Sequence, residues 1–384
     1  MVMKRSILVG FLVCVLVSTS AAADFTFKFG DLDHHEDIAG GYLPTLATFE
    51  ADYAGLNFIP EHTTELALIA GGGYTQRRLW QNAIGVVDET SAYTYDVVQV
   101  QWNGYLRQGF GTSTIGTQDL LTAYVGYEGR YESNVSAFGT AEGFENTTTV
   151  FTDLTNGVAY PDLKGNHQFL STVLALGVRL NMMDDKPISP YGLTADFSIR
   201  LAPRFLNSAL GGEANYVSTT LSALGALPLY NLTAEDGLNL LSALVVDRVR
   251  LDLIVGDQVP VFAQASGSLG NKVRGFAPFT YNTSFSIVNN LDLQVSGPEP
   301  FIPGIYPQLT LFFDVGAYAG RHFNSNTFGS GILASTGFQF TANVFDFMDF
   351  GYFIAYLFNG TNYYYEQITA GTRVFSGITL QLSF

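Results

Sequence analysis

The sequence is short of charge. Only 14% of its 384 residues are Asp, Glu, Lys or Arg, against about 25% in an ordinary soluble protein. Positive charge is the scarcer sign: 18 Lys and Arg stand against 34 Asp and Glu, for a net charge of −16. That balance argues against a nucleic-acid partner and against a polybasic membrane-surface role. Cysteine is nearly absent, with one residue, Cys14. Long apolar runs are missing as well. After the N-terminus no segment reaches the ~18 consecutive apolar residues that a membrane helix needs. Finally, there is no G-x-S-x-G, no H-E-x-x-H and no C-x-x-C. No enzyme activity and no cofactor are expected.

What is present is apolar content spread thinly along the chain: 47% hydrophobic residues, with 40 Gly, 21 Tyr and 31 Phe. The N-terminus has the pattern of an export signal. Lys4 and Arg5 precede an apolar core, Ile7 to Val17, and Ala21-Ala22-Ala23 supplies a small-residue cleavage site. Residues 1–23 are therefore expected to be removed. Cleavage would take Cys14 with it and shift the net charge from −16 to −18 by the loss of two cations. Residues 24–44 are polar and acidic and read as a short periplasmic lead or plug. Residues 45–384 read as one strand-rich domain.

The dominant signal is period two. Tyr191, Leu193, Ala195, Phe197, Ile199 and Leu201 alternate with Gly192, Thr194, Asp196, Ser198 and Arg200. Val249, Leu251 and Leu253 alternate with Arg248, Arg250 and Asp252. A soluble sandwich also alternates. Here the segments approach the ~10 residues of a tilted membrane strand, and the polar faces carry charge suited to a wet lumen. The chain closes on Gly377 to Phe384, with Ile378, Leu380, Leu382 and Phe384 on one face. That ending is similar to the C-terminal signal of bacterial outer-membrane barrels. The fold expected is all-β: a transmembrane antiparallel β-barrel, for which the length after residue 23 suits sixteen strands, with fourteen as the alternative. The Asn- and Thr-rich stretch 133–167 reads as loop, and Asp236 to Val246 as a candidate helical turn.

One stretch does not fit a surface loop: Asn271-Lys-Val-Arg-Gly-Phe-Ala-Pro-Phe279. Downstream, Ser284 to Ser296 and Gln308 to Tyr318 alternate so that Asp292 and Asp314 share the inward face of two adjacent strands. An arginine on the preceding loop could fold inward and bind them, since its planar fork matches a carboxylate. Gly275 would let the chain turn, and Phe276 could pack on the inner wall at Phe312. With the approach "VFAQASGSLGNK" (261–272), the strand "NNLDLQV" (289–295), the turn "GPEPFIPG" (297–304) and Phe312-Phe-Asp314-Val-Gly316, this region resembles the BamA-type outer-membrane assembly and translocation superfamily, also called the bacterial surface antigen family. The resemblance covers residues 258–384.

That resemblance implies several roles. Val273, Arg274, Gly275 and Phe276 would be the tip of an inward-folded loop. Asp314 and Asp292, with Phe312 and Gly316, would be its partners on the lumen wall. Leu380, Leu382 and Phe384 would form the C-terminal assembly signal. The chain would be a member without the POTRA domains usual in the family. It would act in assembly, insertion or translocation at the bacterial outer membrane. Its partners would be outer-membrane lipid, the assembly machinery for its own insertion, and a separate periplasmic protein that captures clients. Two alternatives stay open: a passive porin-like channel, and a structural or adhesive surface barrel. His34 and His35, in "DLDHHED" (31–37), are the one candidate metal pair. A solvated acidic lead is the favoured reading of that stretch.

Overall fold

The computed structural model describes residues 23–29, 45–54, 56, 58–80, 92–113, 115–116, 119–136, 145–146, 168–184, 186, 190–234, 239–270, 272–276, 281–298, 305–323, 327–344, 348–359 and 373–382. Within them the protein is one sheet. Its strands are β1 (Ala23–Phe29), β2 (Thr45–Tyr53), β3 (Thr64–Trp80), β4 (Ala92–Thr112), β5 (Asp119–Ser136), the short β6 (Glu145–Asn146), β7 (Gln168–Met183), β8 (Gly192–Ala202), β9 (Asn215–Thr233), β10 (Asn239–Gln258), β11 (Thr283–Ser296), β12 (Ile305–His322), β13 (Thr327–Val344), β14 (Met348–Leu357) and β15 (Val374–Leu382). The path runs β1-β2-β3-β4-β5-β7 and on in chain order to β15, every ladder on it antiparallel; β6 pairs with β4 in parallel. Each strand on the path thus pairs with its sequence neighbours, the meander that hairpin connections generate. Fourteen strands lie on this path among the described residues, where sixteen were expected with fourteen as the alternative. No ladder joins β1 to β15 among them.

Part of the expected lead is strand. Phe25, Phe27 and Phe29 alternate with Thr26 and Lys28, and β1 pairs along β2 from Ala23↔Tyr53 to Phe29↔Ala47. The helical turn expected over Asp236 to Val246 is corrected: from Asn239 onward this stretch is β10. Its alternation, Leu244 and Val246 buried while Asp247 and Val249 are exposed, is that of a strand. The helices lie elsewhere and are short: α1 (Arg204–Ala209) and α2 (Val261–Gly267).

The two faces of the sheet differ as the alternation requires. In β12, Leu309, Leu311 and Phe313 are exposed while Thr310, Phe312, Asp314 and Gly316 are buried. Val98 and Val100 on β4, Leu174, Leu176 and Val178 on β7, and Phe338 and Phe340 on β13 are exposed in the same way. The outer face is therefore an apolar surface in most of the described strands. The inner face is covered by the chain itself. Phe169, Val173, Ala202, Tyr216 and Ile254 from β7 to β10 form one buried cluster with Val259, Ala263 and Phe323. Val288, Leu333 and Leu357 from β11, β13 and β14 form another with Leu269, Val273, Phe276 and Tyr281. Both clusters close on the segment between β10 and β11. The sheet curls round that segment.

Candidate functional site inside the curl of the sheet

The segment between β10 and β11 turns back at once. Pro260 ends the strand pairing and opens α2: its carbonyl accepts the N–H groups of Ala263 and Gln264, both at 3.0 Å. The Gln264 side chain donates to the Val259 carbonyl at 2.8 Å. After α2 the chain closes a compact loop. Lys272 N and Val273 N donate to Leu269 O at 3.0 and 2.9 Å, Phe276 N donates to Val273 O at 3.3 Å, and Leu269 N donates to Tyr281 O. This carries residues 272–276 to the inner wall.

There Arg274 meets two carboxylates. Its Nε and Nη2 donate to Asp314 at 2.8 and 2.6 Å, a bidentate pair, and its own backbone N–H donates to the same carboxylate at 2.9 Å. Nη2 also reaches Asp292 at 2.5 Å. The guanidinium lies over the Phe312 ring, 3.9 Å from its centre. Asp314 is fully buried, so its charge depends on these donors. Burial alone would weaken the charge on Arg274, yet hydrogen bonds and attraction from Asp314 and Asp292 outweigh it and hold its pKa above the ordinary arginine value. Asp292 has a second cation: Arg248 donates to it at 2.6 Å.

The neighbouring residues fit this placement. Gly275 has φ +96°, a left-handed conformation that favours glycine. A Cβ there would also stand 2.8 Å from Leu357 and 2.9 Å from Ala355. Gly316 leaves room for Leu269 and Val273, each 3.0 Å from where its Cβ would be. Val273 is fully buried in the same cluster. Phe276 is the correction. The expected contact with Phe312 is taken by Arg274, and Phe276 packs edge-on against Tyr281 instead, 5.8 Å between ring centres. The strands explain this: Phe312 lies directly across from Asp292 in the β11–β12 register, so the same guanidinium that binds the carboxylate covers the ring.

A second cation fastens the tip. Lys272 donates to Asp252 at 2.5 Å, and Arg250 donates to the same carboxylate at 2.9 and 3.1 Å. Burial pushes the Lys272 ammonium down to about 8 despite the opposing pull of Asp252. Asn290 donates to the Lys272 carbonyl at 2.8 Å. The alternation put Arg248, Arg250 and Asp252 on the inner face, but nothing in their spacing tied them to the loop. Lys272 lies in the same stretch, two residues before Arg274. Asn207 was invisible to pattern. It is fully buried on α1 and takes the place of a strand partner for β7, accepting from Thr172 N at 2.6 Å and donating to Thr172 O at 3.0 Å.

All eight residues expected at the loop and its wall, Val273 to Phe276 with Asp292, Phe312, Asp314 and Gly316, are thus within one neighbourhood. Leu380 and Leu382 lie on β15, and Phe384 lies outside the described residues. His34 and His35 lie outside them too. Among the described residues no group of three or more metal-ligating side chains occurs, and no helix is long and apolar enough to cross a membrane, which says nothing of a barrel.

No family model matches the chain, and no curated protein matches it. Among solved structures, it is similar to BamA from Haemophilus ducreyi lacking POTRA domains 1–3, with 13% identity over 94% of this chain and 70% of that one, at a TM-score of 0.45. It is also similar to a bacterial polysaccharide outer membrane secretin, with 9% identity over 94% of this chain and 97% of that one, at a TM-score of 0.31.

Proposed function

We propose that this protein is an integral outer-membrane β-barrel that takes part in protein assembly, insertion or translocation, with its lumen occupied by its own inward-folded segment. The observation that carries the reading is the Arg274 latch. A loop tip is drawn into the concave side by a bidentate pair with a fully buried carboxylate. The exposed apolar side chains of the outer face suit a lipid solvent. Outer-membrane lipid and the machinery that inserts barrels are then its partners, and a separate periplasmic protein would capture clients by strand addition.

A porin-like channel is the second reading, favoured by the inner wall of β3 to β8. Ion pairs Arg107–Glu65, Arg200–Glu128 and Arg179–Asp196 line it. Planar-bilayer conductance of the refolded protein separates the two. For a latched segment the wild type is expected to give small, noisy currents that rise in Arg274→Ala, and insertion of a client barrel into vesicles then tests the activity. A large, steady conductance that ignores the substitution would leave the porin reading standing.

A further inference from the structure

The outer face carries a carboxylate where lipid hydrocarbon should be. In β10 the inward residues Arg248, Arg250 and Asp252 bind the wall and the loop, while Val249, Leu253 and Val255 are exposed on the opposite face. Asp247 belongs to that opposite face and is exposed. It sits mid-strand, eight residues from Asn239 and eleven from Gln258. Asn289 on β11 shares the face: it pairs with Val249, diagonal to Asp247, and its Nδ2 donates to Asp247 Oδ1. The other contact of that Nδ2 is a long one, 3.5 Å to the Arg248 carbonyl. The second carboxylate oxygen of Asp247 has no donor among the described residues.

Beside this pair the wall carries no side chain. Asp247 lies across from Gly225 on β9, and a Cβ at Gly225 would meet nothing within 4 Å. Its φ is not in the left-handed region. Neither the chain's own packing nor its backbone asks for glycine there. Leu193, directly across on β8, and Leu227, two residues along β9, stand exposed beside it. A polar pair beside a vacant glycine, framed by large apolar side chains, is what a close protein contact would use.

We infer that this face of β9, β10 and β11 binds a second copy of the chain. Hydrocarbon offers no donor to the open oxygen of Asp247, and ionisable groups in a membrane generally mark a partner or a pathway. The pair is self-complementary. Under a two-fold axis, Asp247 of each copy can accept from Asn289 of the other, as an isologous interface requires. Gly225 leaves open space there for a side chain of the facing wall. The inference rests on the proposed membrane reading of the outer face.

The test uses the full chain with Cys14→Ala, reconstituted in phospholipid vesicles. Leu291→Cys places a thiol beside Asp247, and Leu176→Cys places one on the exposed face of β7 as the control. Copper–phenanthroline oxidation is expected to give a band of twice the monomer mass for Leu291→Cys and none for the control. Adding Asp247→Leu is expected to abolish that band while the protein still inserts, since it removes a charge from a lipid-facing wall. Cross-linking of Leu291→Cys no greater than the control, or cross-linking that survives Asp247→Leu, would overturn the inference. Labelling of Leu176→Cys by an aqueous maleimide decides the membrane reading separately: protection in vesicles keeps it, and full labelling ends it.

Discussion

Arg274→Ala is the sharpest probe of the latch. It removes both side-chain bonds to Asp314, the bond to Asp292 and the stacking on Phe312. The two carboxylates then fare differently. Asp292 keeps Arg248. Asp314 keeps only the backbone N–H of residue 274 and is fully buried. Removing one partner of a buried ion pair costs about 3–5 kcal/mol, because the other charge is left uncompensated. Arg274 retains some access to solvent, with 23% of its side chain exposed, which places the expected loss near the lower end, about 3 kcal/mol. Arg274→Lys keeps the charge but loses the fork, so about 1–2 kcal/mol is expected. Arg274→Ala with Asp314→Ala should lose less than the two singles added together, since neither buried charge remains. The coupling expected is roughly 2 kcal/mol, within the usual range for contacting residues. Urea unfolding in lipid vesicles, followed by the fluorescence of the chain's two tryptophans, measures the four variants against the wild type. Single losses under about 0.5 kcal/mol with coupling below the same value would refute the latch.

Two further outcomes follow from the same tip. Gly275→Ala places a Cβ at a left-handed φ and within 3 Å of Leu357 and Ala355, so a loss of about 1–3 kcal/mol is expected in the same unfolding assay; an unchanged midpoint would show that the tip does not sit against β14. Lys272 gives a pH dependence. Its folded pKa is lowered to about 8 from the model-peptide value of 10.5, so between those values the unfolded chain holds the extra proton, and stability should rise with pH through that window. Below about 8 both states are charged and the contribution is constant; Lys272→Gln should flatten the rise, and equal slopes for the two proteins would contradict burial of this ammonium.

Legibility in the sequence followed the physics of each feature. Period two is a backbone property, so the inward facing of Asp292 and Asp314 could be read from alternation alone. Arg274 stood out because a guanidinium between Val273 and Gly275 has no local partner. The companions of the latch were harder. Lys272 reaches Asp252, twenty residues back and on another strand, a distance that only the curl of the sheet closes. Alternation puts Phe312 on the inner wall, but nothing in it shows whether Phe276 or a cation covers the ring. In the fold, the ring faces Asp292 across the ladder and so belongs to the cation. Asn207 replaces a strand partner with an amide side chain, and no periodicity announces that. Ala23 to Phe29 was hidden for another reason: a strand this short, set beside an acidic stretch, reads as polar by composition though its phenylalanines alternate.

The segment between β10 and β11 is fastened twice, and by different forces. Its α2 end is held by apolar burial: Val259 and Ala263 lie in a cluster with Phe169 and Val173 of β7, Tyr216 of β9 and Ile254 of β10. Phe262 extends that hold further, lying under the Arg130 guanidinium of β5 at 4.5 Å. The tip is held by directional ion pairs to β10, β11 and β12 and by contact with β14. A loop that merely narrowed a pore would need only one wall. This one reaches from β5 to β14, so the inner side that it covers extends across most of the sheet. Apolar burial has no directional requirement, whereas the bidentate ion pair at the tip does. The hold on the tip therefore depends on charge and geometry, while the hold on α2 depends on buried apolar area.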